Sequence, residues 1–249
     1  MDLKDRVALV AGGTGLLGTA IARALAGAGA DIAITYLERK DAARESCAVV
    51  EGLGRKAFSV ALDQTKAEAI APAVEAGKGH FGKIDILVNN AAWNISIPFP
   101  DLETLDAAIW DRLFATNLRG PYLLSRAAAP HLKASGSGRI VNIASVAGLN
   151  PGGSSIAYAT SKAGLIHLTR CLAVALAPLV SVNCVAPGFM DGTRMSSRLP
   201  PEMAEGARQR AVLKRAATVE DVADQVLTFC KSDSVTGQTV NIDAGVFFH

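Results

Sequence analysis

The feature that most constrains the fold is an alternation of short β-branched runs with longer alanine-rich stretches of helical period. Seven runs have the composition of strands: Val7–Val10, Ile32–Thr35, Ala57–Leu62, Ile84–Val88, Arg139–Ile143, Val180–Val185 and Thr239–Ile242. Strands separated by helices form parallel sheets, because a parallel connection needs a long crossover. The runs lack polar alternation, as strands do when helices cover both faces. The sequence therefore predicts a doubly wound α/β fold with a seven-stranded parallel sheet and helices on both faces.

The length predicts one domain. A hydrophobic core grows to about 250–300 residues before a chain divides, and this chain has 249 residues, of which 50% are hydrophobic. It contains no repeat and no linker long enough to separate domains. We expect a single domain over residues 1–249, with one irregular loop from Asp191 to Pro201.

Charge and motif content exclude several classes of partner. The chain has 25 basic and 23 acidic residues and a net charge of +2, which gives no positive field for a nucleic acid. The most apolar later stretch, residues 163–180, contains His167 and Arg170 and is a poor membrane span. The four cysteines form no CxxC pair and no HExxH motif is present, so reduced, buried thiols and no metal site are expected. These features favour a cytoplasmic protein.

A glycine-rich turn follows the first predicted strand and precedes a helix. Such a turn lets backbone amides approach a pyrophosphate at a helix N-terminus, which is the fingerprint of a Rossmann-type dinucleotide site. The predicted cofactor contacts here are Gly12, Thr14, Gly15, Leu16, Leu17 and Gly18.

The end of the second predicted strand bears on the choice of cofactor. Dinucleotide sites normally carry an acid there for the ribose hydroxyls, and this chain has Tyr36. Arg39 and Lys40 could meet a 2′-phosphate, so NADP(H) is favoured; NAD(H) stays open, because both could be solvated residues of a helix and Glu38 could serve a ribose. Asp63, after the third strand, either accepts from the adenine amino group or caps the next helix.

Tyr158 and Lys162 lie four residues apart, on one face of a predicted helix. A lysine cation within about 4–6 Å favours a phenolate, so we expect it to lower the pKa of Tyr158 and tune an acid–base pair. Ser145 ends the fifth predicted strand, where its hydroxyl could hold a reacting oxygen. Asn117 falls in the helical region from Leu105 to Lys133. Each of the four also has an ordinary structural interpretation.

Taken in order, these segments resemble the short single-domain branch of the short-chain dehydrogenase/reductase family, over nearly the whole chain, with a generic likeness to 3-oxoacyl-(acyl-carrier-protein) reductases. The segments that carry the resemblance are Asn89-Asn-Ala-Ala92, Asn117-Leu-Arg-Gly120, Val141-Asn-Ile-Ala-Ser145, Tyr158-x-x-x-Lys162, Val182-Asn-Cys-Val-Ala-Pro187-Gly188 and Thr236–Gly245.

The resemblance implies a role for each candidate. Tyr158 would be the general acid–base, Lys162 its pKa partner and a ribose ligand, Ser145 the group that polarises the substrate oxygen, and Asn117 the holder of a relay water. Further cofactor contacts implied are Gln64, Asn90, Ala91, Pro187, Gly188, Met190 and Thr193. The chain departs from the family pattern at three positions: Leu16 and Ala92 replace glycines, and Thr193 comes one residue late.

The function these features favour is hydride transfer between a nicotinamide and a ketone or secondary alcohol. An enoyl reductase of the same superfamily would place six residues between tyrosine and lysine, and here there are three. A non-catalytic nucleotide sensor on the same fold is the alternative, which the intact set of four residues disfavours.

Substrate and assembly are less constrained. Residues 191–215, the predicted substrate loop, carry six basic and three acidic residues that could meet a phosphopantetheine or CoA phosphate or form a solvated helix face: Arg194, Arg198, Arg208, Arg210, Lys214 and Arg215 against Asp191, Glu202 and Glu205. Four apolar residues follow the fourth predicted strand and either line one wall of an apolar pocket or pack as an ordinary loop: Trp93, Ile95, Ile97 and Phe99. The family resemblance and the apolar tail Val246 to Phe248 predict a homotetramer, with a homodimer as the alternative; a tail that folds back on its own chain would leave the oligomeric state open.

Overall fold

One parallel sheet of seven strands runs through the molecule. The structure is a computed structural model and describes residues 1–193, 196–198 and 200–248. The strands are β1 (Val7–Ala11), β2 (Asp31–Tyr36), β3 (Ala57–Ala61), β4 (Ile86–Asn89), β5 (Gly138–Ile143), β6 (Val180–Pro187) and β7 (Thr239–Ile242). Their order is β3-β2-β1-β4-β5-β6-β7 and every pairing is parallel. The predicted doubly wound fold is confirmed.

Helices cover both faces of this sheet. The α-helices are α1 (Leu16–Gly27), α2 (Lys40–Glu51), α3 (Ala67–Phe81), α4 (Ala107–Phe114), α5 (Gly120–Ala134), α6 (Ile156–Leu176), α7 (Pro201–Arg210) and α8 (Val219–Lys231). One apolar core joins α1 and α8 to the sheet, and a second joins α3, α5 and α6 to its other face. The two cores hold the carboxyl ends of the strands at one rigid edge.

The predicted helical region around Asn117 is not continuous. Between α4 and α5 the chain forms a π-helical turn from Ala115 to Arg119, which contains Asn117. Pro121 has no N–H to donate to the carbonyl of Asn117, four residues earlier, so the α-helical hydrogen-bond ladder breaks at this point. The Gly120-Pro121 pair was the sequence signal for this break.

The expectation of buried thiols holds for two cysteines only. Cys184 and Cys230 are fully buried, Cys47 is partly buried and Cys171 is exposed. The expectation was wrong for Cys171 because this residue lies on the face of α6 that points away from the sheet. All four are free thiols.

The segment predicted as an irregular loop contains a 3₁₀ turn at Ser196–Arg198 and leads into α7, none of whose residues is buried. Arg194, one of the basic residues predicted to act here, lies outside the described residues. Within the described part of the chain no helix is long and apolar enough to cross a bilayer, and no three His, Cys, Asp or Glu side chains are grouped as metal ligands.

Candidate active site

A cleft of about 1780 Å³ opens at the carboxyl edge of the sheet. It lies where β1 and β4 send their following segments in opposite directions, the switch point at which open α/β sheets bind ligands. Most of the predicted cofactor residues line it: Gly12, Thr14, Gly15, Leu16, Leu17, Gly18, Tyr36, Asp63, Gln64, Asn90, Ala91, Gly188, Met190 and Thr193.

Three glycines of the turn have different reasons to be glycine. Gly12 has a φ of +69°, and a side chain there would lie 2.7 Å from Ala91 Cα. A Cβ on Gly18 would lie 2.3 Å from the carbonyl oxygen of Gly12. A Cβ on Gly15 would meet no protein atom within 4 Å, although Gly15 precedes the first residue of α1. The fold therefore requires Gly12 and Gly18, while Gly15 leaves open space at a helix N-terminus, where a pyrophosphate fits.

Side chains from neighbouring strands fix this turn. The Gly12 amide donates to Thr35 Oγ1 at 3.2 Å, and Asn90 Nδ2 donates to the Gly12 carbonyl at 2.9 Å. Asn90 thus holds the turn from β4 and Thr35 holds it from β2. Sequence reasoning missed Thr35, because its role depends on the pairing of β1 with β2 and no local motif marks it.

The adenosine side of the cleft contains Tyr36 at the end of β2, followed by Glu38 and Arg39. Arg39 is exposed and is the N-cap residue of α2. Lys40, the first residue of α2, is exposed but is not among the described lining residues. Of the two cations predicted to meet a 2′-phosphate, Arg39 is thus the one that reaches the cleft wall.

Asp63 and Gln64 follow β3 and organise the loop before α3. Asp63 Oδ1 accepts from the Thr65 amide at 3.0 Å and from Thr65 Oγ1 at 2.6 Å, and these bonds lower the pKa of Asp63. The carboxylate therefore closes the turn ahead of α3, whose N-cap is Lys66. Gln64 Nε2 donates to the carbonyls of Ala91, at 3.2 Å, and Thr116, at 2.7 Å, so it joins the π-helical turn to the cleft wall.

The Tyr158 side chain is 6% exposed and its hydroxyl hydrogen-bonds with Ser145. Burial raises the pKa of Tyr158, and the hydrogen bond with Ser145 opposes this shift. The sequence analysis predicted that Lys162 lowers the pKa of Tyr158, and for the protein alone this prediction is wrong. The Lys162 ammonium lies 5.8 Å from the centre of the tyrosine ring, and its hydrogen bond goes elsewhere.

Lys162 is 2% exposed, and its Nζ donates to the carbonyl of Ile143 at 2.8 Å. Burial lowers the pKa of Lys162 to about 8, an effect that the neighbouring Cys184 partly opposes. A buried ammonium with a pKa near neutrality can change its charge during turnover. Sequence spacing placed this lysine beside Tyr158, and only the structure shows its desolvation.

Asn117 is fully buried, and both ends of its side-chain amide are hydrogen-bonded. The Trp93 amide donates to Asn117 Oδ1 at 2.9 Å, and Asn117 Nδ2 donates to the Trp93 carbonyl at 2.9 Å and to Ser161 Oγ at 3.2 Å. Ser161 Oγ in turn donates to the Tyr158 carbonyl at 2.7 Å. The amide thus fixes the segment after β4 and joins it to the turn of α6 that bears Tyr158.

The far side of the cleft comes from the end of β6. Pro187 ends the strand, is buried, and accepts a hydrogen bond from Ser145 Oγ at 3.4 Å through its carbonyl. Thr193 Oγ1 donates to the Met190 carbonyl at 3.3 Å and accepts from the Ser196 amide at 3.2 Å. Thr193 therefore organises its own loop, while Met190 and Thr193 both remain on the cleft wall.

The predicted reactive group comes together from three elements. Ser145, Tyr158 and Lys162 meet at the carboxyl ends of β5 and β6, with Asn117 behind them. Tyr158, Lys162 and Pro187 are buried and are not among the described lining residues of the cleft. Trp93 and Ile95 pack in one apolar cluster with Tyr158, while Ile97 is buried and Phe99 is partly buried.

Comparisons with known proteins identify the family of this chain. Residues 13–247 match the model of a protein family described as enoyl-(acyl carrier protein) reductase. The chain is 35% identical over 250 residues to the 3-oxoacyl-(acyl-carrier-protein) reductase of Aquifex aeolicus, with 99% of each protein covered. A short-chain dehydrogenase of Burkholderia cenocepacia solved with NADP is 35% identical, with a TM-score of 0.91 and 99% of both chains covered. An NAD⁺-bound xylitol dehydrogenase is 29% identical, with a TM-score of 0.92, and covers 98% of this chain and 100% of that one.

This chain therefore belongs to the short-chain dehydrogenase/reductase family and is an enzyme of the oxidoreductase class. Within that family it is similar to 3-oxoacyl-(acyl-carrier-protein) reductase-like members.

Proposed function

We propose that this enzyme interconverts a ketone and a secondary alcohol, with Tyr158 as the group that moves the proton. The observation that carries the proposal is the buried Tyr158 hydroxyl, hydrogen-bonded to Ser145 and one helical turn from Lys162, beside a cleft whose glycine turn fits a dinucleotide. A nicotinamide cofactor, when bound, would supply or accept the hydride. The chain's residues provide the proton and the position of the substrate oxygen.

In ketone reduction Tyr158 would give its hydroxyl proton to the carbonyl oxygen as that oxygen gains negative charge. Ser145 would hold the same oxygen by a hydrogen bond, and Lys162 would supply the positive charge that favours the phenolate left behind. In alcohol oxidation Tyr158 would take the proton back. Burial raises the pKa of Tyr158, and the protonated phenol that this shift favours is the form that ketone reduction requires.

The spacing of Tyr158 and Lys162 supports carbonyl chemistry over enoyl reduction, although the matching family model carries the enoyl reductase description. Three residues separate the pair, and the pair lies in one buried group with Ser145. A non-catalytic nucleotide sensor would have no use for a desolvated lysine whose pKa is near 8.

NADP(H) is the proposed cofactor. Tyr36 offers no carboxylate to the ribose, and Arg39 lines the cleft beside it. Within the described residues Arg39 has no ion pair, so its charge is available to a 2′-phosphate. NAD(H) remains the alternative, because Glu38 lines the same part of the cleft.

Residues 191–215 are the proposed substrate segment, since Thr193 and Ser196 line the cleft. Arg208 is already engaged: its guanidinium bonds both oxygens of Asp191, at 2.9 and 3.0 Å, and Glu205 at 2.9 Å. Arg210 has no ion pair among the described residues and is the better candidate for a phosphate of an acyl carrier, whereas Arg215 lines a separate surface pocket with Asp221 and Asp224.

A panel of ketones and secondary alcohols, followed by NAD(P)H absorbance with each cofactor, tests the proposed reaction. We expect turnover with ketones, including 3-oxoacyl thioesters, and no consumption of enoyl substrates. If the protein binds the cofactor but neither oxidises nor reduces any compound of the panel, the alternative of a non-catalytic nucleotide sensor is favoured.

We also propose a homotetramer in the cytoplasm. Val174 on α6 is 82% exposed and Phe248 near the C-terminus is 81% exposed, so two large apolar side chains are available for burial between copies. Phe247 is partly buried, and its amide donates to Asp243 at 2.9 Å, so that part of the tail folds back on its own chain. Light scattering at micromolar concentration should give four times the chain mass of 25.8 kDa; a mass near 25.8 kDa would contradict the proposal.

A further inference from the structure

Three residues that no motif singles out, Gly153, Ser154 and Ser155, contact or anchor the tyrosine that follows them. They form the turn before α6, which begins at Ile156. Each one fixes a different part of the surroundings of Tyr158.

Gly153 packs directly against the aromatic ring. Its φ is +90°, a conformation that L-residues rarely adopt. A Cβ added there would lie 2.8 Å from Ala147 Cβ and 3.3 Å from Tyr158 Cδ1. The missing side chain is thus replaced by the tyrosine ring on one side and by Ala147 on the other.

The next two residues anchor the same turn. The carbonyl of Ser154 accepts from the Ile97 amide at 2.8 Å, which joins the turn to the segment after β4. Ser155 is the N-cap of α6, and its Oγ accepts from the backbone amide of Tyr158 at 3.2 Å. Ser155 therefore holds the backbone of Tyr158. The position of the Tyr158 ring depends instead on the residues that pack against the ring.

We infer that Gly153 is a positioning residue for Tyr158: the absence of a side chain at this position lets the phenol reach Ser145. The inference rests on the proposed function, because it assigns to Gly153 the placement of the proposed proton donor. Gly153 itself touches no reacting atom. It acts through the ring, which has Gly153 on one side and carries the hydroxyl toward Ser145.

The neighbouring glycine provides a matched control. A Cβ on Gly152 would meet nothing within 4 Å, and Gly152 is not among the glycines of positive φ. We expect Gly153→Ala to lower kcat by at least about tenfold, because small displacements of a reacting group have large effects on rate. Gly152→Ala should stay within about twofold of the wild type, and both variants should bind NADPH as the wild type does.

The pH profile separates positioning from general damage. Alcohol oxidation needs the phenolate, so its rate rises with pH through the pKa of Tyr158. If Gly153→Ala moves the phenol away from Ser145, the hydrogen bond that opposes the raised pKa is lost, and the rising limb should move to higher pH. Gly152→Ala should leave the limb unchanged.

A second variant guards against poor folding. Ala147→Gly combined with Gly153→Ala removes the 2.8 Å contact and keeps the 3.3 Å contact with the ring. We expect this double variant to fold, with a reduced kcat and the same alkaline shift. The inference would be overturned if the double variant had the same kcat and the same rising limb of the pH profile as Gly152→Ala. It would also be overturned if the double variant lost both kcat and NADPH binding while the rising limb stayed at the wild-type pH. If Tyr158→Phe stays active, the proposed function fails instead.

Discussion

The two ends of the site differ in their exposure to solvent. The nucleotide end, from β1 to the start of α2, is open: Leu16 is 51% exposed, Gly15 faces empty space and Arg39 is exposed. The reactive end, from β5 into α6, is closed, since Asn117 is 0% exposed and Lys162 is 2% exposed.

This difference shows what each end must do. A pyrophosphate is bound by backbone amides and needs room for the ligand, so glycine and exposure serve it. A proton donor needs fixed neighbours and low solvation, which shift its pKa and keep its geometry. Substitutions at the open end should therefore change binding, while those at the closed end should change rate and pH dependence.

The largest effect should come from Tyr158→Phe, which removes the proposed proton donor and keeps the ring. We expect kcat to fall by about 10²–10⁴, the usual contribution of general acid–base catalysis, with NADPH binding unchanged. Steady-state kinetics and cofactor titration measure the two quantities. If the variant keeps more than about a tenth of the wild-type kcat, Tyr158 is not the proton donor, and the idea that the closed end controls the rate is contradicted.

Two glycines at the open end should differ in the kind of damage they cause. Gly18→Ala places a Cβ 2.3 Å from the Gly12 carbonyl oxygen and should lower the free energy of unfolding by on the order of 3 kcal/mol. Gly15→Ala should cost less than about 1 kcal/mol in stability and raise the cofactor KM about tenfold. Denaturant unfolding and NADPH titration of both variants check this, and equal stability losses would contradict it.

Removal of the buried charge should stabilise the closed end while it impairs turnover. The folded-state pKa of Lys162 is about 8, against 10.5 for the free side chain. The folded chain therefore binds fewer protons than the unfolded chain between these values, and its stability rises with pH there. At pH 7 Lys162→Met should raise the free energy of unfolding by about 2 kcal/mol, because the burial penalty exceeds the lost hydrogen bond.

Denaturant unfolding at pH 7 and at pH 10.5 measures this effect, which should shrink toward zero at the higher pH. The exposed Lys56 provides the control, since Lys56→Met should change stability little at either pH. A destabilised Lys162→Met at pH 7 would show that the hydrogen bond to Ile143 outweighs desolvation.

The smallest effect should be on cofactor choice. Tyr36→Asp should lower the ratio of kcat/KM for NADPH over NADH by about tenfold, because a carboxylate accepts from the ribose diol and repels a 2′-phosphate. Arg39→Ala should weaken NADPH only, while Lys40→Ala, which is off the cleft wall, should change little. A wild-type enzyme that prefers NADH would reverse this assignment.

Sequence and structure agree best where local pattern decides the outcome. The strand ends Ile143 and Ile242 were predicted to the residue, because β-branched runs between glycine and helical signals mark a buried parallel strand. The start of β4 was placed two residues early, since Ile84 and Asp85 continue the same apolar run but precede the paired strand. Apolar composition marks burial, whereas pairing depends on the neighbouring strands.

What the sequence determined by itself was the order of elements, the glycine turn and the spacing of Tyr158 and Lys162, because each depends on residues close together in the chain. Only the tertiary structure decided the environment of those groups. The Tyr158 pKa rises where sequence spacing predicted a fall, because burial desolvates the phenol, and its apolar neighbours come from the segment after β4, from α4 and from the turn that contains Ala147. Likewise the amide of Asn117 is taken up by Trp93, twenty-four residues away, through a contact that no local pattern encodes.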